Sequence, residues 1–375
     1  MVNVALKILL HDKLRFAITV SGVAFAVTLV CVQVGLFRGL VDNASVTIEH
    51  SSADLWVMSH NTANVDFSQT FSETYVQRVR SVPGVARADN LIVWFMRLNL
   101  PNGAIENCVM YALEDFRRWN LPWNVLEGDL NDLRRGNYVF IDNSGTRRYG
   151  PFAVNDYREF MGRRLKIIGR AREAVSFTTT PLCFVNYHTA QMIDSQGLAG
   201  QTTYILVKLA PGADPATVQA EIQRRLPHND VHTKAEWARL SRKYWIESTG
   251  IGLNMVLTVF LGCVVGIVVV AQTLYTSTME HYKEFATVKA IGGSNWHVYG
   301  ILVEQAVVAA VVGFGIGAGL SLALQPLMPK MDLKLILPPD FFGIVLLGTV
   351  LFCVGAALLS FRKVSAMDPA LVFRG

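Results

Sequence analysis

The sequence predicts a membrane α-helical protein, with four transmembrane helices in a one-plus-three arrangement and a large α+β extracytoplasmic domain inserted between the first two. Three observations predict it: four long charge-free apolar runs, a charge-balanced stretch after the first of them, and a strand–helix–strand pattern within that stretch. A hydrophobic share of 51% against a charged share of 17% already tilts the composition toward a membrane protein.

The runs locate the spans. Phe16 to Phe37, Ser248 to Met279, Gln305 to Pro329 and Phe341 to Phe361 contain no Asp, Glu, Lys or Arg, and each meets the roughly 20 residues needed to cross about 30 Å of hydrocarbon. The expected organisation is a leader over 1–15, a first span over 16–40, an outer domain over 41–248 and a second span over 249–277. A cytoplasmic segment over 278–296, a third span over 297–325, a short loop over 326–340, a fourth span over 341–361 and a tail over 362–375 follow. A basic leader before an apolar run also suits a secretion signal, but the run continues through "VTLVCVQVGLF", past the roughly 7 to 15 residues of a signal core.

Lysines and arginines set the orientation. Lys7, Lys13, Arg15, Lys283, Lys289, Arg362, Lys363 and Arg374 flank the leader, the 278–296 segment and the tail, whereas the 326–340 loop holds Lys330 and Lys334. Basic flanks favour the cytoplasm, so both termini are expected inside and the large domain outside. That domain counts 23 Lys plus Arg against 22 Asp plus Glu. Without a basic field to engage phosphates, a nucleic-acid role loses its support. The arginine-rich stretch from Arg147 to Arg172 reads as a solvated surface, with anionic headgroups or an acidic partner as the alternative.

In the outer domain, "YILVKL" reads as a strand, Asp214 and Pro215 as the N-cap and first position of a helix, and Val218, Ile222 and Leu226 as its apolar stripe. An earlier unit repeats the pattern, with "ADLWVMSH" and "NLIVWFMRLNL" as strands around the helix "SETYVQRVRSV". Two such units make one α+β sheet with helices on a single face. Residues 100–200 between them read as an inserted, mainly β subdomain.

Chemistry-bearing constellations are not visible. His188 lacks a nucleophile neighbour, no GxSxG occurs, and His228 with His232 sits in a loop-forming context. No CxxC or HExxH appears, so no metal site is expected. Cys31, Cys263 and Cys353 fall in spans and read as small apolar packers. Cys108 and Cys183 lie outside, where pairing is open but not fixed by two cysteines. The chain is therefore expected to be non-enzymatic and to bind no cofactor of its own.

Before the second span, "EWARLSRKYWIES" places Trp237, Leu240 and Tyr244 on one helical face with Trp245 adjoining. Two compatible readings are an aromatic belt at the membrane interface and a stalk that carries the outer domain. Gly262 with Gly266, and Gly313 with Gly317, have the small-xxx-small spacing that lets helices approach, either within the bundle or across a dimer; Gly315 and Gly319 repeat it. Glu304 is the acidic residue within a span, a functional flag by default. It lies near the cytoplasmic end, so a snorkelled structural role is equally open. Ion-coupled transport, which needs central carboxylates or broken helices, is not supported.

The segment "TMEHYKEFATVKAIGGSN" carries Glu280, Tyr282, Lys283, Glu284, Phe285, Ala286 and Lys289 on a helical pattern that Gly292 terminates. Its exposed Phe285 and Val288 suit an amphipathic plug for a groove on a cytoplasmic partner. Here the sequence resembles the permeases of the MacB/FtsX superfamily of ABC systems, the mechanotransmitting type. Lys283, Glu284, Phe285, Ala286, Lys289, Ala290, Ile291 and Gly292 match that family's R/K-E-φ-A-x-φ-K/R-A-φ-G pattern position for position. The tail "VSAMDPALVFRG" and the one-plus-three layout also match. "FRRWNLPWNVLEGDLNDLRRGNYVFIDNSGTRRYG" and "TKAEWARLSRKYW" are similar to the DevC branch.

The resemblance implies that the 278–296 helix docks on a separate ABC ATPase, since no GxxxxGK[ST] occurs here, so that ATP and Mg belong to the partner chain. It also implies a homodimer in contact with membrane lipids. For the DevC branch it implies efflux of lipid-like or hydrophobic cargo with a membrane-fusion adaptor and a TolC-like channel. The alternative it leaves is an FtsX-like scaffold whose outer domain activates a cell-wall hydrolase; the large outer domain favours export.

Overall fold

The structure is a computed structural model that describes residues 13–178, 180–280, 295–331 and 333–365. The chain divides into two units, residues 1–39 with 253–375, and residues 40–252. In chain order the elements begin with α1 (Lys13–Asn43), α2 (Val46–His50), β1 (Leu55–Ser59), β2 (Phe71–Ser72), α3 (Tyr75–Arg80), β3 (Val85–Asn99) and β4 (Ile105–Leu113). Next come β5 (Val125–Glu127), β6 (Tyr138–Asp142), α4 (Gly145–Arg148), β7 (Tyr157–Phe160), β8 (Arg163–Ala171), β9 (Leu182–Asn186) and α5 (Tyr187–Ile193). The remainder are β10 (Gln201–Thr202), β11 (Tyr204–Leu209), α6 (Pro215–Arg225), β12 (Asn229–Thr233), α7 (Lys234–Glu247), α8 (Ile251–Glu280), α9 (Asn295–Leu324) and α10 (Pro339–Ser365).

Among the described residues four helices, α1, α8, α9 and α10, are long and apolar enough to cross a membrane. Their runs of Val, Leu, Ile, Ala and Phe satisfy backbone polarity within each helix, the form that hydrocarbon permits. The core of this unit gathers Val23, Val27 and Cys31 from α1, Val270 from α8, Ala306 and Ala310 from α9, and Phe341, Cys353 and Ala356 from α10. Alanines on α9 and α10 shorten the distance between backbones. α8 is the least covered: 11% of its apolar window is buried within the chain, against 33% for α1. Leu253, Leu257, Phe260 and Leu261 are therefore left to face the surroundings.

The inserted unit is built on a ten-stranded sheet whose path runs β12-β1-β11-β3-β4-β9-β6-β8-β5. In the first half, β12, β1, β11 and the start of β3 pair antiparallel. β1 alternates Leu55 and Val57 toward one face and Trp56 and Met58 toward the other. β11 does the same with Ile205 and Val207 against Tyr204 and Leu206. Both faces are buried, so these strands read as continuous apolar runs.

On one face lie α3, through Val76 and Val79, and α6, through Val218 and Ile222. α6 starts as the sequence predicts, with the Asp214 carboxylate accepting from the Thr217 amide at 3.0 Å and Pro215 at the first position. The expectation of helices on a single face is corrected: α7 covers the other face, with Trp237 and Ala238 packed on Trp56, Met58 and Leu206. A capping box, Thr233 with Glu236, fixes its start.

The stretch expected as an inserted, mainly β subdomain is joined to the same sheet through β3. β3 is 15 residues long; its first half pairs with β11, and its second half with β4 and, through Leu98 and Asn99, with β7. Because β7 also pairs with β8, the strands β3, β4, β9, β6, β8 and β7 close into a small barrel, a form that leaves no free edge around its ring. Ile92, Met110, Val139, Ile167, Val185 and Phe160, from six different strands, fill its interior. Cys108 and Cys183 lie in the same interior as free thiols, and burial pushes the Cys183 thiol up.

Candidate functional site

Sequence reasoning singles out the stretch between α8 and α9. Tyr282, Lys283, Glu284, Phe285, Ala286, Lys289 and Gly292 lie outside the described residues. Glu280, the last residue of α8, is described and pairs with Arg15 near the start of α1. Nearby, Tyr275 and Met279 of α8 pack with Tyr299, Ile301 and Leu302 of α9. The two helices that flank the stretch are thus held together by side chains on both. Glu304 is exposed on α9, next to a buried Gln305.

The glycines show what the bundle requires. A Cβ built on Gly262 would stand 2.7 Å from Leu29, and one on Gly266 would stand 2.8 Å from Ala26. On α9, a Cβ at Gly313 would meet Val23 at 2.6 Å and the Val20 carbonyl at 3.2 Å, and one at Gly317 would meet the Ala24 carbonyl at 2.7 Å. All four open onto α1, so within this chain they serve packing of α8 and α9 against the first helix. Thr28 reinforces the contact by donating to the Gly317 carbonyl at 3.3 Å as well as to its own helix. Gly315 and Gly319 have nothing within 4 Å.

In the inserted unit, the residues around the end of α1 and the end of α7 form a tight collar. Ser241 donates to the Ala44 carbonyl at 2.7 Å, and Arg242 reaches Ser45 and Glu49. The Tyr204 hydroxyl donates to the carbonyls of Asn64 and Val65, which pins the 62–67 loop beside α7. Trp245 stacks on Phe177, with ring centroids 3.9 Å apart, and touches Phe67. Leu40, Ala44 and Ile251 join the same cluster.

The aromatic-belt reading of α7 is corrected here. Trp237 has no exposure and Trp245 is 6% exposed, because the buried face of the helix is Trp237, Ser241 and Trp245, at helical spacing, rather than the Trp237, Leu240, Tyr244 face. Tyr244 is half-buried and packs edge-on against Phe67. The rings are used as core. α7 ends before Ser248, and Gly250 takes a φ of +71°, the left-handed region suited to glycine, before α8 begins.

Asp66 was not singled out by its sequence context. It is fully enclosed behind Phe67, and its Oδ2 has no partner among the described residues. Burial pushes its carboxyl up to about 7, with the Phe177 backbone amide pulling the other way. Its charge in turn helps hold the Tyr111 and Tyr204 hydroxyls protonated. A short Asn-x-Asp loop gives no apolar or spacing signal of burial, so only the packing reveals it.

Among the described residues no group of His, Cys, Asp and Glu could hold a metal. The model of the MacB-like periplasmic core domain matches residues 16–225, and that of the FtsX-like permease C-terminal region matches residues 256–369. A membrane bundle of four helices interrupted by a mixed α/β domain after the first is the architecture of an ABC transporter permease subunit. The chain belongs to the MacB/FtsX-like family of ABC transporter permeases. An uncharacterized ABC transporter permease of Mycobacterium bovis is 26% identical over 368 residues, 97% of this chain and 96% of the relative. One of Mycobacterium tuberculosis is 24% identical over 380 residues, all of both chains.

Among solved structures, the periplasmic region of MacB from Actinobacillus actinomycetemcomitans aligns with a TM-score of 0.40 at 10% identity, over 49% of this chain and 90% of that one. The extracellular domain of the noncanonic ABC-type transporter YknZ from Gram-positive bacteria aligns at 0.37 and 14% identity, over 48% of this chain and 98% of that one.

Two predictions follow from this geometry. Gly313→Leu forces α1 and α9 apart and is expected to cost about 1–3 kcal/mol, whereas Gly315→Leu, facing open space, costs little. Thermal midpoints of the detergent-solubilised proteins compare them, and equal losses would contradict the assignment. For Asp66, the folded value of about 7 stands above the unfolded 3.8. The stability it contributes is full below pH 3.8 and is lost as pH rises through about 7. Asp66→Asn is expected to flatten the fall in midpoint between about pH 4 and pH 7; an unchanged slope would show that Asp66 is not its source.

Proposed function

We propose that this chain is the non-catalytic permease subunit of an ABC export system, driven by ATP hydrolysis on a separate cytoplasmic ATPase. In this reading both termini face the cytoplasm, and the inserted domain lies outside the inner membrane. ATP and Mg are held by the partner, and residues 278–296 dock on it. The observation that carries the reading is the family match across both parts of the chain, and the run from Lys283 to Gly292, which carries the family's sequence pattern, supports it.

Within that run, Phe285 supplies an apolar anchor, while Lys283, Glu284 and Lys289 with Glu280 fix its register by charge. An amphipathic helix in a groove draws most of its affinity from such anchors. A change in the ATPase pair would be passed to α8 and α9, whose ends pack together beside the run, and on to α1 through the glycine contacts. At the far end, α1 and α7 are linked by Ser241 and the Trp245 collar, which support transmission into the inserted domain. Two copies of the chain are proposed to work together, each on one ATPase protomer. The DevC-like stretches extend the proposal to lipid-like or hydrophobic cargo, a membrane-fusion adaptor and a TolC-like channel.

The test is a double substitution in the docking run. Glu284→Lys with Phe285→Asp is expected to abolish stimulation of the partner ATPase in reconstituted membranes while the chain inserts normally. Undiminished coupling in that variant would remove the docking assignment.

A further inference from the structure

Between α1, α8 and α10 lies a cavity of about 310 Å³. Its walls are almost wholly apolar, running from Val34 to Val23 on α1, past Val270 on α8, and from Phe341 to Cys353 on α10. Ile344 and Phe352, which also line it, are exposed, so the cavity opens on the flank of the bundle that meets hydrocarbon.

Its dimensions select an occupant. Val23 and Val34 are eleven residues apart on one helix, a length of about 16 Å at 1.5 Å per residue. That is about half of the roughly 30 Å hydrocarbon core, the depth of a single leaflet. A volume of about 310 Å³ over that length leaves a mean cross-section of about 20 Å², a slot one methylene chain wide. A helix, with a diameter of about 10 Å, needs about four times that section. Water is disfavoured, because it requires polar partners that such walls do not offer.

The rim supplies a charge. Arg38 follows Val34 by one helical turn on the same face, is half-buried, and sets its guanidinium 5.2 Å from the centroid of Phe341, the first lining residue of α10. The other charged groups toward that end, among the described residues, are Asp42, half-buried one turn beyond Arg38, and the exposed Lys330, Lys334 and Asp340. A guanidinium laid over a ring beside an apolar slot keeps its in-plane N–H donors for phosphate oxygens.

We propose that this cavity is a lipid-binding site that takes one hydrocarbon chain of an anionic phospholipid from the leaflet next to the inserted domain, with the headgroup phosphate seated on Arg38. The site depends only on the chain's spanning a bilayer; it stands whether or not residues 278–296 engage an ATPase. Bound there, the lipid fills space that α1 and α10 would otherwise leave unpacked, and ties the occupancy of the slot to the spacing of three of the four spans.

The test uses the full chain in nanodiscs that contain either phosphatidylglycerol or phosphatidylcholine with a photoactivatable group on the acyl chain, and maps the labelled residues by mass spectrometry. Phosphatidylglycerol is expected to label the α1 and α10 walls preferentially. Arg38→Gln should lower that labelling roughly tenfold, the value of one charge-assisted bond, while Arg38→Lys retains part of it. Gly348→Leu, which adds a side chain inside the slot, should displace the label while leaving the thermal midpoint unlowered. Equal labelling by both lipids, or labelling spread evenly over exposed residues such as Phe260, would overturn the site. So would efficient cross-linking between copies through Gly348→Cys, which would give the slot to a second chain.

Discussion

The close approach of α1 to α8 and α9 is the constraint on which the membrane unit depends. In hydrocarbon, lipid tails are as apolar as the side chains, so burial alone does not draw helices together. Dispersion contacts have to do so, and they fall steeply with distance. Gly262, Gly266, Gly313 and Gly317 remove the side chains that would hold the backbones apart, and α1 presents Val20, Val23, Ala24, Ala26, Val27 and Leu29 to the space they leave. Where α10 meets α1 no such glycine contact forms: Gly343, Gly348 and Gly355 have nothing within 4 Å. The slot lies along that seam. Tight and loose packing around one helix thus have the same origin, the placement of residues without a side chain.

The inserted unit solves a different problem, that of making a single body from two kinds of sheet. β3 does this by length. A strand of 15 residues serves the flat α-covered sheet with one half and the closed barrel with the other, so the unit has a continuous backbone ladder across both. The collar of Phe67, Phe177, Tyr244 and Trp245 then closes the region where α1 and α7 end. An ionisable carboxyl sealed behind it, without a charge partner, is a costly arrangement, and burial raises the Asp66 carboxyl well above its ordinary range as a result.

Much of this was legible in the sequence, and the reasons are physical. The four spans follow from absence of charge over lengths set by the bilayer. The units around β1, β3, β11 and α6 follow from short β-branched runs bounded by turn residues and from the Asp214–Pro215 start. The shared strand was not legible, because nothing in "NLIVWFMRLNL" marks where one pairing partner is exchanged for another. Of the two readings of α7, the belt and the stalk, the belt fails for a related reason: Trp237 and Trp245 carry the same amphipathic signal at a membrane interface and against a sheet, and only the partner decides. The glycine spacing told of close packing but not of its direction, which the neighbours of each Cβ position reveal. Arg38 and the slot were invisible, since a cavity is a property of three helices that are distant in sequence.

As an ABC transporter permease, this chain implies a separate ABC ATPase as its partner. The most direct measurement is gentle solubilisation of the full chain from its native membrane, affinity purification, and quantitative mass spectrometry of what remains bound. A stoichiometric ABC-type ATPase is expected, recovered together with an adaptor of the membrane-fusion type. Intact, folded chain recovered with no ATPase at any detergent stringency would contradict it.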